Sequence, residues 1–344
     1  MPSLTTRRVL KWLAIIAAVP VLLALIIATV LRLDYAGTPA PWAKSTGNDA
    51  LWLGHAWVDG RRTAADVNTL AARLGAMKDV YVHSGPLDAD GTLPTAKYPN
   101  AANLLTWWKA RLPGVRLSAW LGQTVNPDDE GHLDLADPAT RARVVAGAKA
   151  LVDLGFDGIH YDFEPVPDGD PDYLALMRET RQAIGARVLS VATQQIEPVT
   201  GAKFLFRTIG GHPKYWSPGY FRQMAELTDQ VAIMTYDSWT PLQSLYGGYV
   251  ARQAAMALEV IPDTTDLLIG APAYHDHMVG LSDYAESVRM AAEGTRLALT
   301  DHGPRPNTGL ALYVDFAATD EDWREYEQAW VRSAGMAGTE MTSR

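Results

Sequence analysis

The chain contains no cysteine. Disulfides, a thiol nucleophile and thiolate-ligated metal are therefore excluded, although export remains open, because exported proteins can lack disulfides. Basic residues are also in deficit, with 30 Lys and Arg against 39 Asp and Glu and a net charge of −9. Phosphate-backbone binding needs clustered Lys and Arg, so nucleic acid is not an expected partner. The helix-borne HExxH metal pattern is absent. The remaining metal candidates, His160, Asp162 and Glu164 with His275 and His277 of the YHDH stretch, do not match a known ligand spacing. Neither metal nor cofactor is expected.

What is present begins with an apolar run. Trp12–Leu31 carries no charge, is preceded by Arg7, Arg8 and Lys11, and is followed by Arg32. About 20 such residues are long enough to cross a bilayer, and the excess of upstream positive charge places the N-terminus in the cytoplasm and the bulk of the chain outside. A cleaved signal sequence, giving a secreted protein, is the alternative. Its apolar core is ordinarily shorter and ends at small residues. The expected layout is a cytoplasmic N-terminus and anchor over 1–33, a flexible Pro, Gly and Ala-rich linker over 34–48, and one domain over 49–344.

That domain alternates strand and helix signals. Strands are expected at Leu51–His55, Val80–Ser84, Val115–Leu121, Phe156–Pro165, Val188–Thr193, Val231–Tyr236, Leu267–Ala273 and Gly309–Val314. Between them lie helices at Thr63–Met77, Asn103–Arg111, from Asp137-Pro138 to Gly155, from Asp170-Pro171, and at Pro218–Leu227, Tyr249–Glu259 and Ser282–Ala298. Asp320–Arg332 closes the series. Eight strand–helix units predict an α/β fold, the (β/α)8 TIM barrel, preceded by one transmembrane helix. In that architecture the active face is built from loops after the strands' C-terminal ends. The candidates here are Pro86–Lys97, Gln123–Leu135, Gln194–Ser217, Ser238–Leu245 and Tyr274–Gly280. Within Gln194–Ser217, the aromatics Phe204, Phe206, Tyr215 and Trp216 could wall a groove or simply fold the loop onto the barrel.

The most informative stretch is Phe156–Pro165, FDGIHYDFEP. On a strand alternate side chains share a face, so His160, Asp162 and Glu164 converge while Ile159, Tyr161 and Phe163 point the other way. Two neighbouring carboxylates can deliver and stabilise charge: like-charge repulsion keeps Glu164 protonated as a general acid. The residues alone leave Asp162 open as the nucleophile of an ordinary double displacement.

DGIHYDFE resembles the DxxDxDxE signature of glycoside hydrolase family 18, the chitinase-like enzymes, with Asp157, Asp162 and Glu164 matching and His160 standing where an Asp is usual. VAIMTYD at Val231–Asp237 is similar to the family's MxYD strand, and LIGAPAY at Leu268–Tyr274 to its GxPxY strand. The resemblance spans roughly residues 48–335. It implies hydrolysis of N-acetylhexosamine-containing glycans, with the substrate's acetamido oxygen as nucleophile and Glu164 as acid. Asp162 would orient the acetamido group, Tyr236 would hydrogen-bond its carbonyl, and Asp237 would hold the sugar. Gln194, Tyr274 and Met234 are further expected substrate-binding residues, and Trp57, Trp120 and Trp239, each near a strand end, are candidate sugar platforms. His160, through a ring N–H donated to Asp162, and Asp157 are expected to support the site from behind. The eighth strand, LALYVDF, lacks the family's Trp, and Tyr313 or Asp315 would occupy that region. A glycan and the membrane are the expected partners. A glycan-binding protein without catalysis on the same barrel is the alternative.

Overall fold

The computed structural model describes residues 18, 21–204, 208, 213–275 and 284–332. Eight parallel strands close into a barrel. They are β1 (Asp49–Leu53), β2 (Met77–His83), β3 (Arg116–Thr124), β4 (Gly158–Glu164), β5 (Val188–Thr193), β8 (Gln230–Ile233), β9 (Asp266–Pro272) and β10 (Thr308–Tyr313). Their order around the barrel is β1-β10-β9-β8-β5-β4-β3-β2. A short parallel pair, β6 (Gln195–Ile196) and β7 (Tyr215–Trp216), lies in the loop after β5.

The strand period of two sorts the side chains into two cores. One lies between strands and outer helices and includes Leu51, Leu53, Val80, Val82, Ile159, Tyr161, Phe163, Val231 and Ile233. The other fills the barrel and includes Ala50, Trp52, Tyr81, Trp120, Ala192, Ala232, Met234 and Ala311. Packed interiors of such barrels usually hold branched aliphatics in layers. Here small alanines alternate with large aromatics, leaving room for a polar column. At its base Arg116 makes two bonds to Asp79 (2.6 and 2.7 Å) and Gln230 Nε2 donates to Asp79 at 2.7 Å. Buried Asp49 closes the seam between β1 and β10 by accepting from Ser45 Oγ, Leu310 N, Tyr326 Oη and Trp330 Nε1.

Helix starts follow local chemistry. Asp137 accepts from Ala139 N and Thr140 N with Pro138 at the first turn, and Asp170 does the same ahead of Pro171. Several element bounds differ from expectation. The first helix ends at Ala71, because the chain turns through Arg73 and Leu74 to begin β2 at Met77. Strand β8 stops at Ile233, after which the Gln195 side chain takes over the carbonyls of Met234 and Tyr236 (2.5 and 3.1 Å). The helix over Gln243–Val260 starts earlier than expected, and its Gly247-Gly248 pair serves close packing rather than ending a helix.

The linker is a fixed strap rather than a flexible tether. Tyr35 Oη bonds Glu293, Ala40 N donates to Thr300 Oγ1 (2.8 Å), Arg296 Nε donates to the Ala43 carbonyl (2.7 Å), and Thr46 Oγ1 donates to the Pro306 carbonyl (2.6 Å). These contacts run down the helix Val288–His302 from the active face to the base of β1. Residues 21–34 are helical. Among the described residues no helix is long and apolar enough to cross a membrane; most of Trp12–Pro20, the first half of the expected span, lies outside them.

Candidate active site

Strand β4 carries His160 into the barrel interior and Asp162 and Glu164 to its C-terminal mouth. It pairs with β3 so that Trp120 opposes His160, Gly122 opposes Asp162 and Thr124 opposes Glu164. A side chain at Gly122 would press on the Asp162 carbonyl at 3.1 Å. Glycine there lets the two strand ends converge. The carboxyls of Asp162 and Glu164 titrate as one interacting pair, in which the Asp162 charge favours the protonated form of Glu164. Burial, then the charge and hydrogen bond of Asp162, then the charge of Asp237, hold the Glu164 carboxyl well above the usual carboxylate range. As a residue Glu164 is exposed at the open mouth, which tempers the burial contribution and leaves the neighbouring Asp162 charge as the firmer cause. Burial pushes Asp162 up to about 6, against the opposing hydrogen bond from Glu164 and the influence of the Trp120 indole. Nevertheless Asp162 Oδ1 and Trp120 Nε1 are both buried with no protein hydrogen-bond partner. Asp162 Oδ1 is thus an acceptor without a protein partner in normal hydrogen-bond geometry, with the Trp120 indole near enough to lower the Asp162 pKa.

The opposite wall comes from the segments after β8, β9 and β10. The buried Tyr236 ring stacks on Tyr313 (5.3 Å between centroids, 20°) and meets Tyr274 edge-on (5.7 Å, 86°). Burial first, then nearby charges that include Asp162 and Glu164, keep the Tyr236 phenol protonated. Tyr313 also meets Trp52 and Trp120 edge-on at 5.6 and 6.1 Å. Tyr313 is thus the aromatic at the end of the last strand, whereas Asp315 turns away to bind Gly54 N (2.7 Å) and Trp57 Nε1 (2.8 Å). Three cis peptide bonds, Gly85–Pro86, Glu164–Pro165 and Tyr313–Val314, lie at this same mouth.

Asp237 and Trp239 adopt left-handed φ values of 54° and 63°, which is costly for a residue as bulky as Trp. Buried Glu286 holds that turn by accepting from Asp237 N, Ser238 N and Ser238 Oγ at 2.7 to 2.8 Å. The Asp237 carboxylate accepts from Tyr274 Oη, and its carbonyl accepts from Lys214 Nζ at 2.7 Å. Burial brings the Lys214 ammonium down to about 8, and it sits 5.2 Å from the Trp239 ring centre.

The expected residues divide. Asp162, Glu164, Tyr236, Asp237, Tyr274 and Trp120 share the mouth, with Met234 buried beneath it. Trp239 stands open at the rim, whereas Trp57 is buried against Asp315 and Arg62 and offers no free face. Gln194 is buried and donates to the Pro213 carbonyl at 3.1 Å, its own carbonyl oxygen lacking a partner. Asp157 lies at the opposite end of β4, where it accepts from Leu117 N. Some 20 Å of strand separates it from Glu164, so it fastens β3 to β4 rather than supporting the acid.

His160 is buried, with Nε2 accepting from Trp52 Nε1 (3.0 Å), Nδ1 facing Ser190 Oγ (2.8 Å), and its ring stacked 3.9 Å from Tyr81. Both ring nitrogens are committed, so neither is left for Asp162. Desolvation drops its pKa to about 3, so the imidazole is neutral. His275 pairs with Asp322 on an outer helix, and His277 lies outside the described residues. Among the described residues no group of three or more His, Asp or Glu gathers as a metal cage. In the loop after β5, Tyr215 and Trp216 are buried against the barrel and Phe204 is exposed; Phe206 lies outside the described residues. Sequence reasoning missed Trp52, Tyr81, Ser190 and Glu286, whereas Lys214 was expected within the candidate loop Gln194–Ser217. The even-numbered parity of β1 was a usable signal for Trp52, whereas nothing local marks Glu286.

No family model matches the chain, and no curated protein matches it. Solved structures do. The spore cortex-lytic enzyme SleL of Bacillus cereus is 14% identical with a TM-score of 0.57, covering 82% of this chain and 74% of that one. A class V chitinase of Pseudomonas fluorescens Pf-5 is 17% identical (TM-score 0.55; 82% and 98% covered), and a chitinase of Bacteroides thetaiotaomicron is 12% identical (TM-score 0.58; 83% and 96% covered). At such identities the likeness is one of fold, and it agrees with the closed (β/α)8 barrel described above.

Proposed function

We propose that this chain is a glycoside hydrolase of N-acetylhexosamine-containing glycans, chitin-like or from the cell envelope, acting with retention through the substrate's own acetamido group. The observation that carries the reading is the buried Asp162 Oδ1, unpartnered beside a protonated Glu164. Asp162 and Glu164 project from one face of one strand rather than from opposite walls of the mouth, which suits orientation of an acetamido group more than direct attack by Asp162. An acetamido N–H would satisfy Asp162, and the Tyr236 hydroxyl would donate to the acetamido carbonyl.

In the reaction Glu164 gives its proton to the leaving glycosidic oxygen as the acetamido oxygen bonds to the anomeric carbon and the old C–O bond breaks. Asp162 stabilises the oxazolinium ion so formed. Water then attacks the anomeric carbon, Glu164 takes its proton, and the acetamido group is released. The chemistry found among its structural neighbours, which include chitinases and a spore cortex-lytic enzyme, is consistent with this reading. The chain is further proposed to be held in a membrane by Trp12–Leu31 with the barrel extracytoplasmic, a reading supported by the uncharged run and the upstream Arg7, Arg8 and Lys11.

The test is turnover of fluorogenic N-acetylglucosamine oligomers and muropeptide glycans by the chain and by Glu164→Gln. Turnover of an acetamido sugar that is lost in the variant is expected. Equal glycan binding by both proteins with turnover by neither would replace the hydrolase with a binding protein.

A further inference from the structure

The large apolar side chains left exposed are not scattered. Outside residues 21–34, the described ones are Trp42, Leu154, Val199, Phe204, Trp239, Leu242, Tyr284 and Phe316. Val199 and Phe204 follow β5, Trp239 and Leu242 follow β8, Tyr284 follows β9, and Phe316 follows β10. All six lie on active-face loops. Leu154, by contrast, ends a helix at the base of the barrel, and Trp42 lies on the strap between Ala40 and Ala43. Tyr284 and Phe316 are 70% and 67% exposed.

The N-terminal helix points the same way. The Leu31 carbonyl lies so close to Gly248 that a Cβ there would meet it at 1.8 Å, and Asp34 pairs with Arg252 at 2.8 Å. Leu31 thus meets Gly248 and Asp34 meets Arg252 one turn further along each helix, while the Tyr35 ring reaches back to Gly247. Residues 21–34 therefore run in the same sense as Gln243–Val260, which descends from the active face. Residues 21–30 rise about 15 Å from Leu31, roughly twice the ~7.5 Å from Gly248 back to Gln243. Their side chains Val21, Leu22, Leu25, Ile26 and Ile27 are half or more exposed. The apolar helix thus leaves the domain beside the active mouth, and the strap through Tyr35, Ala40 and Thr46 fixes that direction.

We propose that the mouth of the barrel faces the bilayer that the N-terminal segment enters, with Phe204, Leu242, Tyr284 and Phe316 seated in the lipid interface, and that the glycan it takes is one carried on a membrane lipid. This rests on the membrane-anchored reading above. Aromatic side chains suit the interface, where one end is apolar and the other wet. With a net charge of −9 the chain gains nothing from anionic headgroups, so the seating is apolar and insensitive to salt.

Because the chain has no cysteine, Tyr284→Cys, Phe316→Cys and Leu154→Cys each offer one labelling site. The full-length variants, carrying an environment-sensitive fluorophore, are reconstituted in phosphatidylethanolamine and phosphatidylglycerol vesicles that contain a headgroup-quenching lipid. Labels at 284 and 316 are expected to be quenched several-fold more than the label at 154, equally at low and high salt. Protein that floats with the vesicles but shows equal quenching at all three positions overturns the orientation alone. Protein that fails to float overturns the anchored reading, and the orientation with it. The substrate half is tested by Tyr284→Ser/Phe316→Ser. Turnover of a lipid-linked N-acetylglucosamine saccharide in the same vesicles is expected to fall several-fold while that of the free oligosaccharide is kept. An equal loss on both would make these aromatics sugar contacts and overturn the lipid assignment.

Discussion

Trp52 donates its indole N–H to His160 Nε2 at 3.0 Å across the barrel interior. An accepting Nε2 in a neutral ring places the proton on Nδ1, so His160 donates onward to Ser190 Oγ at 2.8 Å. The Ser190 hydroxyl in turn neighbours the Tyr81 phenol, which burial and then the Asp79 charge keep protonated and which donates to Gln230 Oε1 at 3.1 Å. Gln230 donates to Asp79 in the ion-pair cluster at the barrel base. One polar column thus links the floor of the site to the far end of the fold.

His160→Ala is expected to destabilise the protein by about 1–3 kcal/mol by orphaning the Trp52 donor, as measured by urea unfolding. His160 is neutral in the native state, with a pKa near 3, whereas an unfolded His takes up a proton below about 6.5. The unfolded state therefore binds more protons between those values, and the His160 contribution shrinks as pH falls. The gap between wild type and variant should narrow from pH 7 to pH 4. Because the ring makes no bond to Asp162, the acid limb of the activity profile should stay in place; a moved limb would show that His160 acts on the carboxylate after all.

Catalysis by the singly protonated Asp162–Glu164 pair predicts a bell-shaped pH profile. Its acid limb lies near pH 6, where Asp162 takes up its proton, and its basic limb lies higher, where Glu164 loses its own. Asp162→Asn should cut kcat by about 10²–10⁴-fold and remove the acid limb. Persistence of that limb in the variant would assign it to another group.

Glu164→Gln should raise the melting temperature. The native carboxyl titrates above its unfolded value, so between the two the unfolded state binds fewer protons and native stability falls as pH rises. Glutamine does not titrate, and the difference in melting temperature between the two proteins should widen from pH 5 to pH 8. A constant difference would contradict the raised pKa.

Tyr236→Phe removes one donor and keeps the ring stacked on Tyr313. A loss of about 10²-fold in kcat with little change in KM is expected if the hydroxyl acts on the acetamido carbonyl only as charge develops. A rise in KM at constant kcat would reduce it to a binding contact.

Gly248→Ala places a Cβ against the Leu31 carbonyl. Hydrogen exchange should quicken over 31–48, with kcat on a soluble oligosaccharide unchanged. Unaltered exchange would mean that the strap is held by its other contacts alone.

The amino-acid sequence by itself determined the barrel and the carboxylate pair, because both rest on local periodicity. Alternate residues of a strand share a face, which brings Asp162 and Glu164 together whatever the rest of the chain does. Asp137-Pro138 and Asp170-Pro171 start helices for reasons contained within one turn. Tertiary structure decided the remainder through contacts between residues far apart in the chain. Trp52 and His160, 108 residues apart, fix a tautomer that no strand pattern encodes. Asp157 belongs to the family-like motif yet sits at the wrong end of its strand, since strand length and not motif membership sets its distance from the acid. Trp57 looks like a sugar platform until Asp315, 258 residues later, claims its N–H. The strap reads as a tether because Pro, Gly and Ala disclose nothing of Glu293, Arg296 and Thr300, which hold it.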